Sequence, residues 1–345
     1  MRSTIPFITI VMPVKNEAGF ITGTLMQLLQ QDYPPDRFEI LLVDGMSEDG
    51  TPEIARQISR GYPALHVLKN EKRLPGSGRN IGFRNGKGDV FLVVDGHCHI
   101  GNDQLLRNIA RCLETSGAGC LGRPQPLDPP GLSEFQKALA LARASMLGHR
   151  EDSLIYSSYE GYASPVSNGA VYTKEVFRKV GYVDEEFDAC EDVEFNYRVE
   201  RAGIPAFTSP SLTIRYYPRE DLTGLFRQMN RYGQGRFRFA KKHREAFNVE
   251  MLVPPLFVAG FFLLLTAGML SVFSDLMYGV FVTFYILYSM YILMIVAESA
   301  RISLKNGSRY FKHLPFIFFT IHWGLGWGLI REAVRSLAKR ARPGE

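Results

Sequence analysis

The sequence predicts an α/β chain with a mostly parallel central sheet, followed by C-terminal transmembrane helices. Three observations carry this. Short apolar runs alternate with amphipathic stretches through the first hundred residues, the order expected of strands joined by crossover helices. Polar residues recur just past the ends of those runs, where open α/β sheets bind their ligands. Two apolar segments, residues 252–274 and 276–297, are each long enough to cross a bilayer.

The apolar run 7–14 is the first expected strand, with Asn16 and Glu17 just past its end. It is too short for a signal-peptide core, and Pro13 and Lys15 close it, so no cleaved targeting segment is expected. A helix follows to about Gln31, with Phe20, Ile21, Leu25, Leu28 and Leu29 on one face, ended by Pro34 and Pro35. The second strand, 38–43, delivers Asp44. Ser47 and Asp49 lie in the loop before Thr51, an expected helix cap followed by Pro52. A short strand at 66–69 precedes a glycine-rich turn entering a helix that carries Arg79 and Asn80. The run 90–94 then delivers Asp95 and His97. Each polar residue could alone shape a turn. Their convergence on one sheet edge has no packing reason and points to a ligand site.

Further on, a helix is expected over 137–147, and Asn168 and Gly169 introduce a strand at 170–173. Thr173 is the expected cap of a helix that Gly181 ends. Glu191 and Asp192 open another helix, which Gly203 and Pro205 close. Acidic charge suits a helix N-terminus on electrostatic grounds alone, so both a structural and a chemical role stay open at this point.

Charge divides the chain. Residues 1–218 hold 23 Lys and Arg against 27 Asp and Glu, a net of −4, whereas residues 219–345 hold 17 against 8, a net of +9. The basic excess flanks apolar segments, which favours an anionic membrane surface over nucleic acid. Four cysteines without paired spacing imply reduced thiols. The expected organisation is a catalytic domain over 1–218, a basic interfacial segment over 219–250, a membrane region over 251–330 and a basic tail over 331–345. The third apolar stretch, 314–330, is shorter and carries Pro315, His322 and three alternating glycines. A full third span would export Arg331, Arg335, Lys339, Arg340 and Arg342 against the positive-inside rule, so a re-entrant or interfacial segment competes with a span.

The order Pro13-x-x-Asn16-Glu17, Val43-Asp44-x-x-Ser47-x-Asp49-Gly50-Thr51, Gly78-Arg79-Asn80-x-Gly82 and Asp95-x-His97 resembles the family 2 glycosyltransferases. That resemblance implies a GT-A nucleotide-sugar-binding domain. It also implies that Pro13, Asn16, Glu17 and Asp44 contact uracil and ribose, with Ser47 and Asp49 in the same motif, and that Arg79 and Asn80 lie near the nucleotide. Asp95 is implied to approach the metal and diphosphate, and the Glu191-Asp192 pair to supply the base, with Asp192 preferred. Asp-x-His stands where the family usually has Asp-x-Asp. His97 could be a nitrogen ligand, suiting Mn²⁺ better than Mg²⁺, a turn residue, or a direct partner of the diphosphate. Gln228-x-x-Arg231-Tyr232 resembles the Gln-x-x-Arg-Trp motif of processive members, which closes over acceptor and diphosphate, with Tyr replacing Trp.

The layout is most similar to glucosyltransferases of succinoglycan-type exopolysaccharide assembly. The implied activity is inverting transfer of a sugar, glucose by expectation, from a UDP-sugar to a lipid-linked saccharide, with a divalent metal, Mg²⁺ or Mn²⁺. The implied setting is the inner membrane, multi-pass, with the catalytic domain in the cytoplasm, beside other polysaccharide-assembly proteins and no nucleic acid. A processive polysaccharide synthase and a non-catalytic membrane scaffold with a degenerate nucleotide-sugar fold are the alternatives.

Overall fold

The computed structural model describes residues 5–148, 154–166 and 168–341. The elements run, in order, β1 (Ile8–Val14), α1 (Ile21–Leu29), β2 (Phe38–Asp44), α2 (Thr51–Ser59), β3 (Leu65–Lys69), α3 (Pro75–Asn85), β4 (Val90–Val93), β5 (Cys98–His99), α4 (Leu105–Ser116), β6 (Cys120–Gly122) and α5 (Glu134–Arg143). They continue with β7 (Gly161–Tyr162), β8 (Gly169–Thr173), α6 (Lys174–Val180), α7 (Glu191–Arg201), β9 (Ala206–Thr208), β10 (Arg215–Tyr216), α8 (Leu222–Lys242), α9 (Val253–Leu270), α10 (Asp275–Asn306) and α11 (Leu314–Ala341). The described residues fall into two compact units, one within Met1–Gly131 and Asp152–Tyr217, the other within Leu132–Glu151 and Pro218–Glu345.

The first unit is built on an eight-stranded sheet in the order β3-β2-β1-β4-β8-β6-β9-β7. The strands β3, β2, β1 and β4 are mutually parallel, whereas β8 runs antiparallel to both β4 and β6. Val14 lies opposite Asp44, and Val11 opposite Val93, so the carboxyl ends of β1, β2 and β4 open side by side. Pairing of β1 with β4 stops at Val11. Pro13 lies beyond it on the same side of the strand and removes no ladder bond.

Both sheet faces are covered, which is why these strands are apolar runs rather than alternating ones. Ile8, Ile10 and Met12 pack with Ile21, Leu25, Leu28, Leu106 and Ile109 on one face. On the other, Val11 joins Phe83, Phe91, Tyr172, Phe177 and Phe195, with the Phe83 and Phe177 rings 4.6 Å apart. The glycine-rich segment expected to turn before a helix is itself helical from Pro75 onward. Packing overrides propensity: a Cβ on Gly82 would lie 2.2 Å from Val11 Cγ1, so the helix can touch the sheet only through glycine. Thr51 is likewise inside its helix, with Gly50 at φ 90° as the residue before it. Thr173 precedes α6 as expected, but its side chain makes no capping bond. None of the four cysteines forms a disulfide among the described residues.

In the second unit, α5 buries Ala138, Leu139 and Ala142 against Leu225, Met229, Ile302, Leu314 and Phe318. Its residues therefore cluster with the C-terminal helices rather than with the rest of the 1–218 segment. Ser133 and Gln136 form a reciprocal cap at its start, and Glu134 pairs with Lys312 at 2.7 Å and His313 at 3.0 Å. Two helical segments, Val249–Leu270 and Asp275–Asn306, are long and apolar enough to cross a membrane. The third apolar stretch is one continuous helix to Ala341. A Cβ on Gly328 would fall 2.1 Å from the Asn230 carbonyl, which assigns that glycine to close contact between α11 and α8. Arg238 reinforces the contact with Glu332 at 2.8 Å.

Candidate active site

The loop after β1 and the loop after β2 are stitched together by the residues that the sequence singled out. Asn16, at φ 58°, donates its N–H to Ser47 Oγ at 2.8 Å, and its Oδ1 accepts the Glu48 N–H at 2.9 Å. Glu17 N–H reaches Thr51 Oγ1 at 2.8 Å, and Ala18 N–H reaches Asp49 Oδ2 at 2.9 Å. Asp49 also accepts the Thr51 hydroxyl at 2.6 Å. Burial raises its pKa, but these bonds from Thr51 and Ala18 outweigh that and hold it below the usual carboxylate range. Asp44, 4% exposed, accepts the Ser47 N–H at 3.2 Å. Ser47, Asp49 and Asn16 thus shape a rigid rim around the end of β2, and Asp44 keeps further lone pairs for a ligand's hydroxyl or imide donors.

At the end of β4, His97 Nδ1 lies 2.8 Å from Glu17 Oε1, and the rings of Phe20 and Tyr216 flank the imidazole edge-on at 6.3 and 5.8 Å. Burial pushes the Asp95 carboxyl up, but Arg79, His97, the Tyr216 hydroxyl and Arg123 together carry it below the ordinary range.

Opposite these groups stands the start of α7. Cys190 precedes it in the left-handed region at φ 61°, a conformation that costs energy for a non-glycine residue. Arg79 Nη2 contacts Glu191 Oε1 at 3.2 Å, their side chains 13% and 7% exposed. The guanidinium also feels Asp192 and Asp95, and these carboxylates raise its pKa against the effect of burial. Glu191 is pushed up to about 7, because burial and the neighbouring Asp192 and Asp95 outweigh Arg79. Asp192 is half-buried and accepts the Val193 N–H at 2.9 Å. One cation therefore stands among three carboxylates.

Asn80 lies elsewhere. Its amide donates to the Val183 carbonyl and to Glu185 Oε1, both at 2.8 Å, and its oxygen accepts the Val183 N–H at 3.0 Å. Only 2% exposed, it ties α3 to the segment before α7 and holds Arg79 in place through the backbone. Gln228, Arg231 and Tyr232 all sit on α8 in the second unit, where Gln228 Nε2 reaches the Tyr232 hydroxyl at 3.5 Å. Two residues escaped the sequence: Arg123, one position past β6, and Tyr216 in β10. The rule that found Asp44 and Asp95, a polar residue just past an apolar run, has only the three-residue strand Cys120–Gly122 to act on at Arg123.

Among the described residues no three His, Cys, Asp or Glu side chains gather as a metal-binding group. Asp95 with His97 beside it fits a different pattern, in which a divalent ion takes one or two protein ligands and completes its shell with phosphate oxygens and water.

The profile of glycosyl transferase family 2 matches residues 9–179, and that of glycosyl transferase family group 2 matches residues 140–330. Over 252 residues the sequence is 32% identical to succinoglycan biosynthesis protein ExoA of Rhizobium meliloti (strain 1021), covering 71% of this chain and 73% of that protein. The chain belongs to glycosyl transferase family 2. It is also 25% identical over 337 residues, 96% of this chain and 98% of the relative, to the dolichyl N-acetyl-alpha-D-glucosaminyl phosphate 3-beta-D-2,3-diacetamido-2,3-dideoxy-beta-D-glucuronosyltransferase of Methanococcus voltae. The mannosyltransferase PcManGT of Pyrobaculum calidifontis, solved with GDP-Man and Mn²⁺, superposes with a TM-score of 0.59 at 19% identity, covering 99% of this chain and 89% of that one. This family 2 enzyme accordingly has the GT-A fold, and it is a glycosyltransferase.

Proposed function

We propose that this family 2 glycosyltransferase moves a sugar, glucose by first expectation, from a UDP-sugar to a lipid-linked saccharide with inversion, in exopolysaccharide or envelope polysaccharide assembly. The observation that carries the proposal is the meeting of Asp95, Arg79, Glu191 and Asp192 at the sheet edge, beside the rim that Asn16, Ser47 and Asp49 build around Asp44. The names of the Rhizobium and Methanococcus relatives support a polysaccharide or lipid-phosphate acceptor. Asp44 and Pro13 would face the nucleoside. Asp95, with His97 beside it, would hold a divalent cation, which supplies charge neutralisation for the leaving diphosphate.

Asp192 would take the proton. The acceptor oxygen forms its bond to the anomeric carbon as the bond to the β-phosphate oxygen breaks, UDP departs with that electron pair, and the hydroxyl proton passes to the Asp192 carboxylate. Glu191, buried against Arg79, anchors the guanidinium beside the reacting centre. Membrane attachment would run through the two apolar helices, with Arg301, Lys305, Arg309 and Lys312 returning to the cytoplasm. Gln228, Arg231 and Tyr232 are assigned to the acceptor side.

The test is UDP release by detergent-solubilised protein with a panel of UDP-sugars and lipid-linked acceptor. Metal-dependent turnover with one sugar, lost in Asp192→Asn, is expected. Folded protein that turns over none of these donors would overturn the proposed UDP-sugar and acceptor, and long products would favour a processive synthase.

A further inference from the structure

The largest of the fully buried side chains is a cation outside the family motifs. Arg123 is 1% exposed. Its Nη2 donates to the carbonyl of Val93, the last residue of β4, at 3.0 Å and to the Tyr216 hydroxyl at 2.8 Å. The guanidinium carbon stands 5.4 Å from the Tyr216 ring centre, while Nε and Nη1 are buried without a partner. A buried arginine with unmet donors is costly, so a purely structural account leaves it unexplained.

Its surroundings give the account. Val93 lies two residues before Asp95, and Arg123 thus grips the strand end from which that carboxylate hangs. The Tyr216 oxygen accepts from the same Nη2 that holds the Val93 carbonyl, so one guanidinium ties β10 to the strand end that carries Asp95. Tyr216 is itself fixed: it pairs with Cys98 across β10 and β5, its N–H reaches the Pro126 carbonyl at 3.0 Å, and the neighbouring Tyr217 N–H reaches the His97 carbonyl at 3.2 Å. His97 meets the Tyr216 ring edge-on.

We infer that Arg123 and Tyr216 are positioning residues for the donor site: Arg123 clasps the Val93 carbonyl at the end of β4 to the phenol of Tyr216, and that clasp sets where the following Asp95 and His97 meet the cation and the diphosphate. Outer partners of this kind orient a ligand without touching the ion, and their loss weakens binding about 10–100-fold. The inference rests on the assignment of Asp95 above, and the experiment separates the two.

Full-length solubilised protein is titrated with Mn²⁺ by the loss of its free-ion EPR signal, and with UDP by calorimetry in Mn²⁺ and in EDTA, for the unmodified chain, Asp95→Asn, Tyr216→Phe and Arg123→Lys. Tyr216→Phe is expected to weaken Mn²⁺-dependent UDP binding about tenfold while leaving the EDTA measurement unchanged, with a lower thermal midpoint because Arg123 loses an acceptor. Asp95→Asn should abolish the dependence on Mn²⁺. If Asp95→Asn keeps it, the assignment of Asp95 is wrong and the inference falls with it. If Asp95→Asn loses it and Tyr216→Phe binds as the unmodified chain does, the positioning role alone is overturned. Should Tyr216→Phe not fold, Arg123→Lys decides: it keeps the charge but cannot span both Val93 and Tyr216, so unchanged affinity overturns the inference and a drop of at least about threefold supports it.

Discussion

Replacing Glu191 with Gln sets two physical effects against each other. Removing one partner of a buried ion pair usually costs about 3–5 kcal/mol, and Arg79 stands 3.2 Å away. Yet the carboxyl is pushed up to about 7 rather than down, because burial, Asp192 and Asp95 outweigh the single guanidinium. The second effect should win, since Arg79 keeps two other carboxylates near it. A carboxyl raised in the folded state is protonated there while the unfolded chain has already lost its proton. Its cost to stability is therefore absent below the ordinary value of 4.5, grows as pH rises and is complete above about 7. At roughly 1.4 kcal/mol per unit the ceiling is about 3 kcal/mol. Glu191→Gln should remove part of that cost, leaving the protein at pH 8 unchanged or stabilised by up to several degrees, with a flatter dependence of the thermal midpoint between pH 5 and 7. Thermal unfolding in detergent across that range measures it. A variant destabilised by about 3 kcal/mol or more at pH 8, with the slope retained, would show that Glu191 is a charged, stabilising partner of Arg79 and refute the reasoning.

Asp192→Asn should lower kcat about 10²–10⁴-fold with UDP affinity unchanged by calorimetry, because it removes the proton acceptor and none of the nucleotide rim. Glu191→Gln should cost less than Asp192→Asn in UDP release, since it loosens Arg79 without removing the base. Gly82→Ala should destabilise the fold by about 1–3 kcal/mol, seen as a lower thermal midpoint, because its new Cβ meets the buried Val11. His97→Asp, which restores two carboxylates, should shift the metal preference toward Mg²⁺, read from the Mg²⁺ and Mn²⁺ concentrations giving half-maximal UDP release.

What the sequence showed and what it hid follow from range. Asp44 and Asp95 stand immediately past apolar runs, so local pattern singled them out, whereas at the helix start the pattern left a structural role open and the family resemblance chose Asp192. Arg123 follows a strand of three residues and Tyr216 lies in one of two, too short to give a periodic signal. Asn80 was legible as a motif residue but not in its bonding, because its partners lie more than a hundred positions away. The helix at Pro75–Asn85 contradicted its own glycine content for a tertiary reason, the contact of Gly82 with Val11. The alternating glycines of the third apolar stretch left its course open between a span and a re-entrant or interfacial segment. They are small residues in an unbroken helix, and Gly328 meets its neighbour's backbone.

The exchange of aspartate for histidine at position 97 reaches beyond one ligand. A carboxylate 2.8 Å from Nδ1 favours the tautomer with its proton on that nitrogen, which leaves the lone pair on Nε2. Glu17, expected to face the nucleoside, thus has an oxygen engaged in orienting the imidazole. With aspartate at 97, the same Glu17 would meet a like charge across the loop and repel it. Imidazole at this position therefore trades a carboxylate for a hydrogen bond between the β1 and β4 loops. The rest of the charge balance points the same way: Glu17, Asp95, Glu191 and Asp192 outnumber Arg79 and Arg123, and an anionic diphosphate entering beside them needs compensating positive charge. A histidine in place of a carboxylate at 97, and a Glu191 pushed toward protonation, both lower the negative charge the donor must meet.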